Sequence, residues 1–311
     1  MKLLSRLSVL SLMMLLVMGV QTLGDRAELH LPWYFLHQIV LALIPMTWLI
    51  VEVLPKAPAA DRLAFIATSA FFISTSAIAE ILAIEHRYWW FFTERDHLLG
   101  VQLGSLPIEE FIFYPLFLNL PILFFMWLKS VLGDEPGRPP SPAMQRGLKL
   151  AAGLLAALGL VLVVLAVQTD SPPLDTTILP AVDAKGALRY AAGPHRRGWT
   201  IVQLFGLSGT CTLLALLWPR IPARRLWLTL ICYFPFAMFV ELMACGRGWW
   251  VWNERQVLGP FTWILPIESY SMYITGALLP PLFLEWVRPF FELRSVPAKD
   301  VEVQVQGGGA G

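Results

Sequence analysis

Residues 106–127, "LPIEEFIFYPLFLNLPILFFMW", set two adjacent carboxylates, Glu109 and Glu110, inside an otherwise apolar run, and residues 265–286, "LPIESYSMYITGALLPPLFLEW", repeat the pattern. Leu106 to Glu109 matches Leu265 to Glu268, Tyr114 matches Tyr273, Pro121 matches Pro280 and Trp127 matches Trp286. Upstream, with two single-residue gaps, Gly100 matches Gly259, Glu94-Arg95 matches Glu254-Arg255, the Trp89-Trp90 pair matches Trp249-Trp250, and Glu80 matches Glu241. The chain is an internal duplication, so its fold has to be read once per half.

The 311 residues are 57% hydrophobic and 14% charged, which places the chain with polytopic membrane proteins. A membrane helix needs about 20 mostly apolar residues, and such runs fall at about 4–23, 32–54, 63–84, 107–128, 148–168, 199–218, 226–245 and 264–287. The expected fold class is all-α: a polytopic bundle of about eight transmembrane helices in two parallel four-helix repeats. Four spans per half is an even number, so both halves enter the membrane in the same direction. The expected domains are a first repeat over 1–132, a linker over 133–147, a second repeat over 148–290 and a disordered tail over 291–311. The proline-rich loop 169–199 has room for a small extramembrane structure.

The N-terminal segment has the basic start and apolar run of a signal peptide without an obvious small-x-small cleavage site, and it reads as a retained helix. Counting Lys and Arg on this topology gives 14 on the side of the termini and nine on the other. The positive-inside rule then puts both termini in the cytoplasm, with the chain in a bacterial inner membrane. The net charge of +1 offers no basic field for nucleic acid. Cys211, Cys232 and Cys245 are odd in number and lack zinc-like spacing, so they read as small buried side chains. There is no glycine-rich dinucleotide fingerprint, phosphate loop, HExxH motif or aspartate-rich pair, and no cofactor or metal is expected.

From Leu98 to Leu128 the first motif region would span roughly 46 Å if fully helical, against a hydrocarbon core of about 30 Å. Pro107 and Pro266 are the expected breaks, each starting a new helix with Glu109 or Glu268 in its first turn. Such an acid has two readings. It can be a helix start, where the dipole favours an anion, or an intramembrane acid retained for function, which its recurrence in both halves favours. Two parallel repeats would bring Glu109 and Glu268 toward a common axis, where a cavity between helices is a natural ligand site. Glu80 and Glu241, each ending a span, either support that acid or anchor the interface. Trp89, Trp90, Trp249 and Trp250 fit either an aromatic belt or a π-rich wall that stabilises a passing cation by ~0.5–2 kcal/mol per ring. Arg95 and Arg255 read as loop braces.

The two copies of "LPIE", each preceded by a tryptophan-rich loop and a glycine, resemble the lycopene cyclase domain of the membrane-integral, heterodimer-type carotenoid cyclases, here in a fused two-domain arrangement. The resemblance covers about 30–290. The family motif of proline, any residue, glutamate, often a second acid and an aromatic falls on Pro107, Glu109, Glu110 and Phe111, and again on Pro266, Glu268 and Tyr270, with Ser269 replacing the second acid. The resemblance implies a lycopene β-cyclase of carotenoid biosynthesis, an intramolecular lyase or isomerase. It would act on lycopene or a related acyclic carotenoid in the bilayer, with a membrane-facing entrance and other carotenoid-pathway enzymes as possible neighbours. The site residues so implied are Glu109 and Glu268 as the proton-handling pair, Glu80, Glu241 and Glu110 in support, and Phe111, Tyr270, Tyr114 and Tyr273 lining the cavity with the tryptophans. An ε-ring or other isoprenoid cyclase on the same scaffold is the alternative. A proton-coupled transporter is a third reading, since paired intramembrane carboxylates also suit proton relay.

Overall fold

The computed structural model describes residues 2–91, 98–133, 141–168 and 197–292, with 28, 30, 105, 260 and 263 excepted, and adds 181–182, 188–189 and 191. The tail, most of the linker, most of the 169–199 loop and Arg95 lie outside the described residues.

Helices supply nearly all of the architecture: α1 (Lys2–Arg26), α2 (Trp33–His37), α3 (Ile44–Val53), α4 (Ala59–Glu85), α5 (Ile108–Leu132), α6 (Pro142–Gln168), α7 (Gly198–Leu217), α8 (Ala223–Gly246) and α9 (Ile267–Glu292). The strands are short: β1 (Trp89–Phe91), β2 (Gln102–Leu103), β3 (Leu106–Pro107), β4 (Ala181–Val182), β5 (Leu188–Arg189), β6 (Trp250–Trp252), β7 (Phe261–Thr262) and β8 (Leu265–Pro266). A π-helical turn, Gln38–Leu43, joins α2 to α3. Pro45 follows it, and a proline there has no N–H to give and crowds the carbonyl four residues back, so the helix widens by one residue.

Among the described residues, six rods are long and apolar enough to cross a membrane: Trp33–Lys56, Ala59–Glu85, Ile108–Leu132, Pro142–Leu162, Gly198–Leu217 and Ala223–Gly246. The protein is an all-helical membrane bundle. Within the described side chains of α1 the apolar stretch is Ser11–Gly24, and α9 is not among the six. α9 holds Pro280, Pro281 and Pro289 and packs on α4, α5, α7 and α8. A helix buried among four others need not be apolar to lipid all round. α1 is tied to α2 by Gln21 Oε1 and His37 Nε2, 2.8 Å apart and buried.

Helix contacts obey a pseudo-twofold rule. α3 packs on α5 as α7 packs on α9; α4 packs on α5 as α8 packs on α9; α4 meets α9 as α8 meets α5; and α5 and α9 meet each other across the axis. The axis passes through a two-stranded antiparallel ribbon that joins the halves, with Trp90 opposite Val251, Trp89 opposite Trp252 and Phe91 opposite Trp250. The ribbon corrects the sequence alignment by one residue. Tyr88 N–H donates to the Ala83 carbonyl at 2.9 Å as Trp249 N–H donates to that of Ala244 at 2.8 Å, and Arg87 and Gly248 before them share a left-handed backbone. Tyr88 is therefore the counterpart of Trp249, Trp89 of Trp250 and Phe91 of Trp252. Side-chain identity pairs Trp89-Trp90 with Trp249-Trp250, whereas the backbone hydrogen bonds put the first gap after the ribbon.

Membrane helices must satisfy every backbone group internally. Pro121 cannot donate to the Phe117 carbonyl one turn back in α5, and Tyr233 of α8 donates its hydroxyl there instead, at 3.0 Å. The opposite end of the bundle is tied by charge: Lys129 of α5 lies 3.1 Å from Asp61 of α4, and Arg288 of α9 contacts Asp61, Glu285 and Glu292.

Candidate active site

Each motif begins as a tight hairpin, β2–β3 in the first half and β7–β8 in the second, pairing Gln102 with Pro107 and Phe261 with Pro266. The helix starts at once after the proline. Pro107 is the N-cap of α5 at φ −59°, ψ 142°, and Glu109 and Glu268 lie in the first turns of their helices, as the sequence predicts. From there each carboxylate reaches back ten residues. Glu109 Oε1 accepts the Leu99 N–H at 2.5 Å, and Glu268 Oε1 accepts the Leu258 N–H at 2.5 Å together with the Thr200 hydroxyl at 2.5 Å. The next residues, Gly100 and Gly259, turn with φ of 76° and 117°, a region that favours glycine. The duplicated glutamate thus fastens the loop before its helix, and among the described residues its second oxygen, Oε2, is buried without a partner in both halves. The Gln38 side-chain amide adds a bond to the Glu109 carbonyl at 3.1 Å.

Neither of the two cavities lined by described residues takes in Glu109 or Glu268. A cavity of about 120 Å³ does sit on the axis, but its carboxyls are Glu80, Glu110 and Glu241. Its lining otherwise comes in matched pairs: Tyr34 with Trp199, Trp89 with Trp250, Phe91 with Trp252, Phe113 with Met272, Tyr114 with Tyr273 and Phe117 with Gly276, completed by Leu118 and Tyr233. Alternation along the ribbon selects the aromatic members, since residues two apart share a face of a strand. Trp90 and Trp249 do not line the cavity. The Arg87 guanidinium covers the Trp90 ring at 4.8 Å, and Trp249 packs edge-on against His37 at 4.9 Å and against Tyr34 at 5.6 Å.

Glu80 and Glu241 lie in the last two turns of α4 and α8, and each takes an indole and a phenol donor, the indole on Glu241 being that of the counterpart of Phe91. The Trp89 indole N–H donates to Glu80 Oε1 at 3.1 Å and the Tyr114 hydroxyl to Oε2. The Trp252 indole N–H donates to Glu241 Oε1 at 2.9 Å and the Tyr273 hydroxyl to Oε2 at 2.6 Å. Glu110 differs: Tyr34 donates to its Oε1, and among the described residues no group donates to Oε2. The second half has Ser269 at this position and Trp199 at that of Tyr34. Trp199 instead packs on Trp89 at 5.0 Å and Trp252 at 5.3 Å, forming a cluster of three indoles. Tyr88 lies behind this cluster, its phenol pKa raised by burial, and its ring comes so close to Gly198 that a Cβ there would stand 2.8 Å from it.

Of the other expected site residues, Phe111 lines a smaller cavity between α4 and α5, Tyr270 packs near Phe234 with ring centroids 6.4 Å apart, and Arg255 takes its backbone N–H to the Asn253 side chain at 3.1 Å. Arg95 lies outside the described residues. Sequence reasoning passed over Tyr34, Phe91, Trp199, Tyr233 and Trp252. The alternation of "WVW" at 250–252 carried a signal for Trp252; Tyr34 and Trp199 carry none until Gln38 is aligned with Gln203.

The lycopene cyclase family model matches residues 31–128 and 198–287, more than half of the chain and one stretch in each repeat. The protein belongs to the lycopene cyclase family, and with its six apolar helices it is a membrane protein of the carotenoid cyclase class. The matched stretches hold α2 to α5 and α7 to α9, the helices that build the axial cavity, and leave out α1 and α6. No curated protein and no solved structure matches the chain.

Proposed function

We propose that the protein is a lycopene β-cyclase that closes β-ionone rings at the ends of lycopene, with the axial cavity as its reaction chamber. The observation that carries this reading is the triad of buried carboxyls, Glu80, Glu110 and Glu241, facing a chamber otherwise walled by aromatic and aliphatic side chains. The reaction is an isomerisation and balances without a co-reactant. A proton is added to the terminal double bond of the substrate, leaving a tertiary cation; an internal double bond attacks, a carbon–carbon bond closes the six-membered ring, and the cation moves to the next tertiary carbon. A base then removes a proton, so the proton count is restored.

Glu110 suits the acid. A carboxylic acid accepts at one oxygen while the other carries the proton, and Glu110 accepts Tyr34 at Oε1 while no described residue occupies Oε2. Glu80 and Glu241 have both oxygens held by indole and phenol donors, which suits fixed negative partners of the cation, one of them taking up the final proton. The indoles of Trp89, Trp199 and Trp252 present π faces worth ~0.5–2 kcal/mol each to a cation, and a dry chamber keeps water from capturing it. Glu109 and Glu268 act one step back, holding the hairpins from which the helices start.

The test is expression in a lycopene-accumulating bacterium followed by pigment analysis. Carotenoids with β-rings are expected; ε-rings would place the base against a different proton, and unchanged lycopene with the protein in the membrane would overturn the reading. In the same cells, reporters fused at the C-terminus and in the 169–199 loop are expected on the cytoplasmic and outer sides respectively, as the Lys and Arg distribution requires.

A further inference from the structure

The axial chamber is far too small for a whole carotenoid, so most of the hydrocarbon has to lie elsewhere while one end reacts. A second cavity of about 40 Å³ lies between α4 and α5 and shares Glu80, Glu110 and Tyr114 with the chamber. Those three side chains form the wall between them. Its outer lining is apolar, with Ile73 and Ala77 on α4 and Phe111 and Pro115 on α5. Phe111 of its lining is exposed, as is Ile78 next to Ala77, on helices long and apolar enough to lie in lipid.

The second half has bulkier residues at the same place. Counterparts of Ile73 and Ala77, by the register that relates Glu80 to Glu241, are Phe234 and Met238 on α8. Met238 is buried, and Phe234 lies against Tyr270, the counterpart of Phe111. Smaller residues, a crevice and Glu110 therefore occur together in the first half, while bulkier residues and Ser269 occur together in the second.

We propose that the α4–α5 crevice is the lateral portal through which one end of the substrate enters from the bilayer, and through which the remaining polyene runs out to lipid during ring closure. The occupant is a long unsaturated hydrocarbon. This portal rests on the cyclase reading for its substrate and on the lining shared by crevice and chamber for its place. Bicyclic products then require two visits, with the monocyclic product released into lipid between them.

Two measurements test it. Ile73→Phe combined with Ala77→Met, the residues of the second half, narrows the crevice without touching the carboxyls. The conversion rate of lycopene is expected to fall about tenfold or more at equal membrane content, since overfilling a packed gap opposes entry of the chain. Full activity of that variant would overturn the portal. Separately, in a background without Cys211, Cys232 and Cys245, Ala77→Cys and Ile78→Cys are labelled with a lipophilic maleimide in vesicles with and without lycopene. Lycopene is expected to slow labelling at residue 77 and leave residue 78 unchanged; equal rates at residue 77 with and without lycopene would overturn the proposal. Labelling reads occupancy without turnover, so a chain that binds lycopene here yet forms no ring would sink the cyclase reading and spare the portal.

Discussion

Glu109 and Glu110 stand one residue apart, and one residue turns a helix by about 100°. That rotation takes the Glu109 carboxylate back to the Leu99 N–H and the Glu110 carboxyl into the chamber beside Tyr34. Their substitution by glutamine is expected to separate the two roles. Glu110→Gln keeps size and polarity but has no acidic proton, so cyclisation should fall by about 10²- to 10⁴-fold, the usual range for loss of a general acid, with protein content unchanged. Glu109→Gln keeps a side-chain oxygen for the Leu99 N–H and should retain most activity. Equal collapse of both, measured as pigment formed per membrane protein, would return the proton-handling role to the duplicated glutamate. Ser269, buried and with no partner for its hydroxyl, marks the second half as the one without this acid.

At the scale of the elements, the hairpin-to-helix unit is the part built twice. Gly259 turns at φ 117°, and a Cβ there would meet nothing within 4 Å. Gly259→Ala should therefore cost about 1–2 kcal/mol through the backbone alone, read as a lower unfolding temperature in detergent. α9 makes its own contribution at Gly276, where α5 has Phe117. A Cβ at Gly276 would also meet nothing within 4 Å, so the missing side chain is chamber space. Gly276→Phe should leave the protein folded, because the added ring enters a void. It should block cyclisation because that void is where the substrate end has to lie. Normal product from this variant would show that the chamber extends beyond the described lining.

For the whole molecule, the decisive feature is that neither half closes the chamber. The ribbon takes one strand from each repeat, α4 meets α9 as α8 meets α5, and the carboxyls come from both halves. Cutting the chain in the 133–147 linker and expressing residues 1–140 and 141–311 separately should give no cyclic carotenoid from either piece. Co-expression should restore ring formation, since the two pieces retain their full interface. Cyclic product from one piece alone would require that piece to pair with itself.

Much of this was legible in the residues. The duplication, the helix starts after Pro107 and Pro266, and the membrane character follow from local rules: apolar length, proline's missing N–H and repetition of a motif. The family resemblance rested on the same stretch. What the residues alone could not decide was which carboxylate faces the chamber, because Glu109 and Glu268 have the stronger sequence signature, and what they share is a hydrogen bond from a backbone N–H ten residues back. Glu80, Glu110 and Glu241 become one site only when α4, α5 and α8 converge, and Tyr34, Trp199 and Trp252 join them from segments far apart in the chain. Local structure is set by interactions within a turn or a hairpin and can be read from neighbouring letters. The contents of a cavity are set by the angles at which whole helices pack, and those depend on every contact across the pseudo-twofold axis at once.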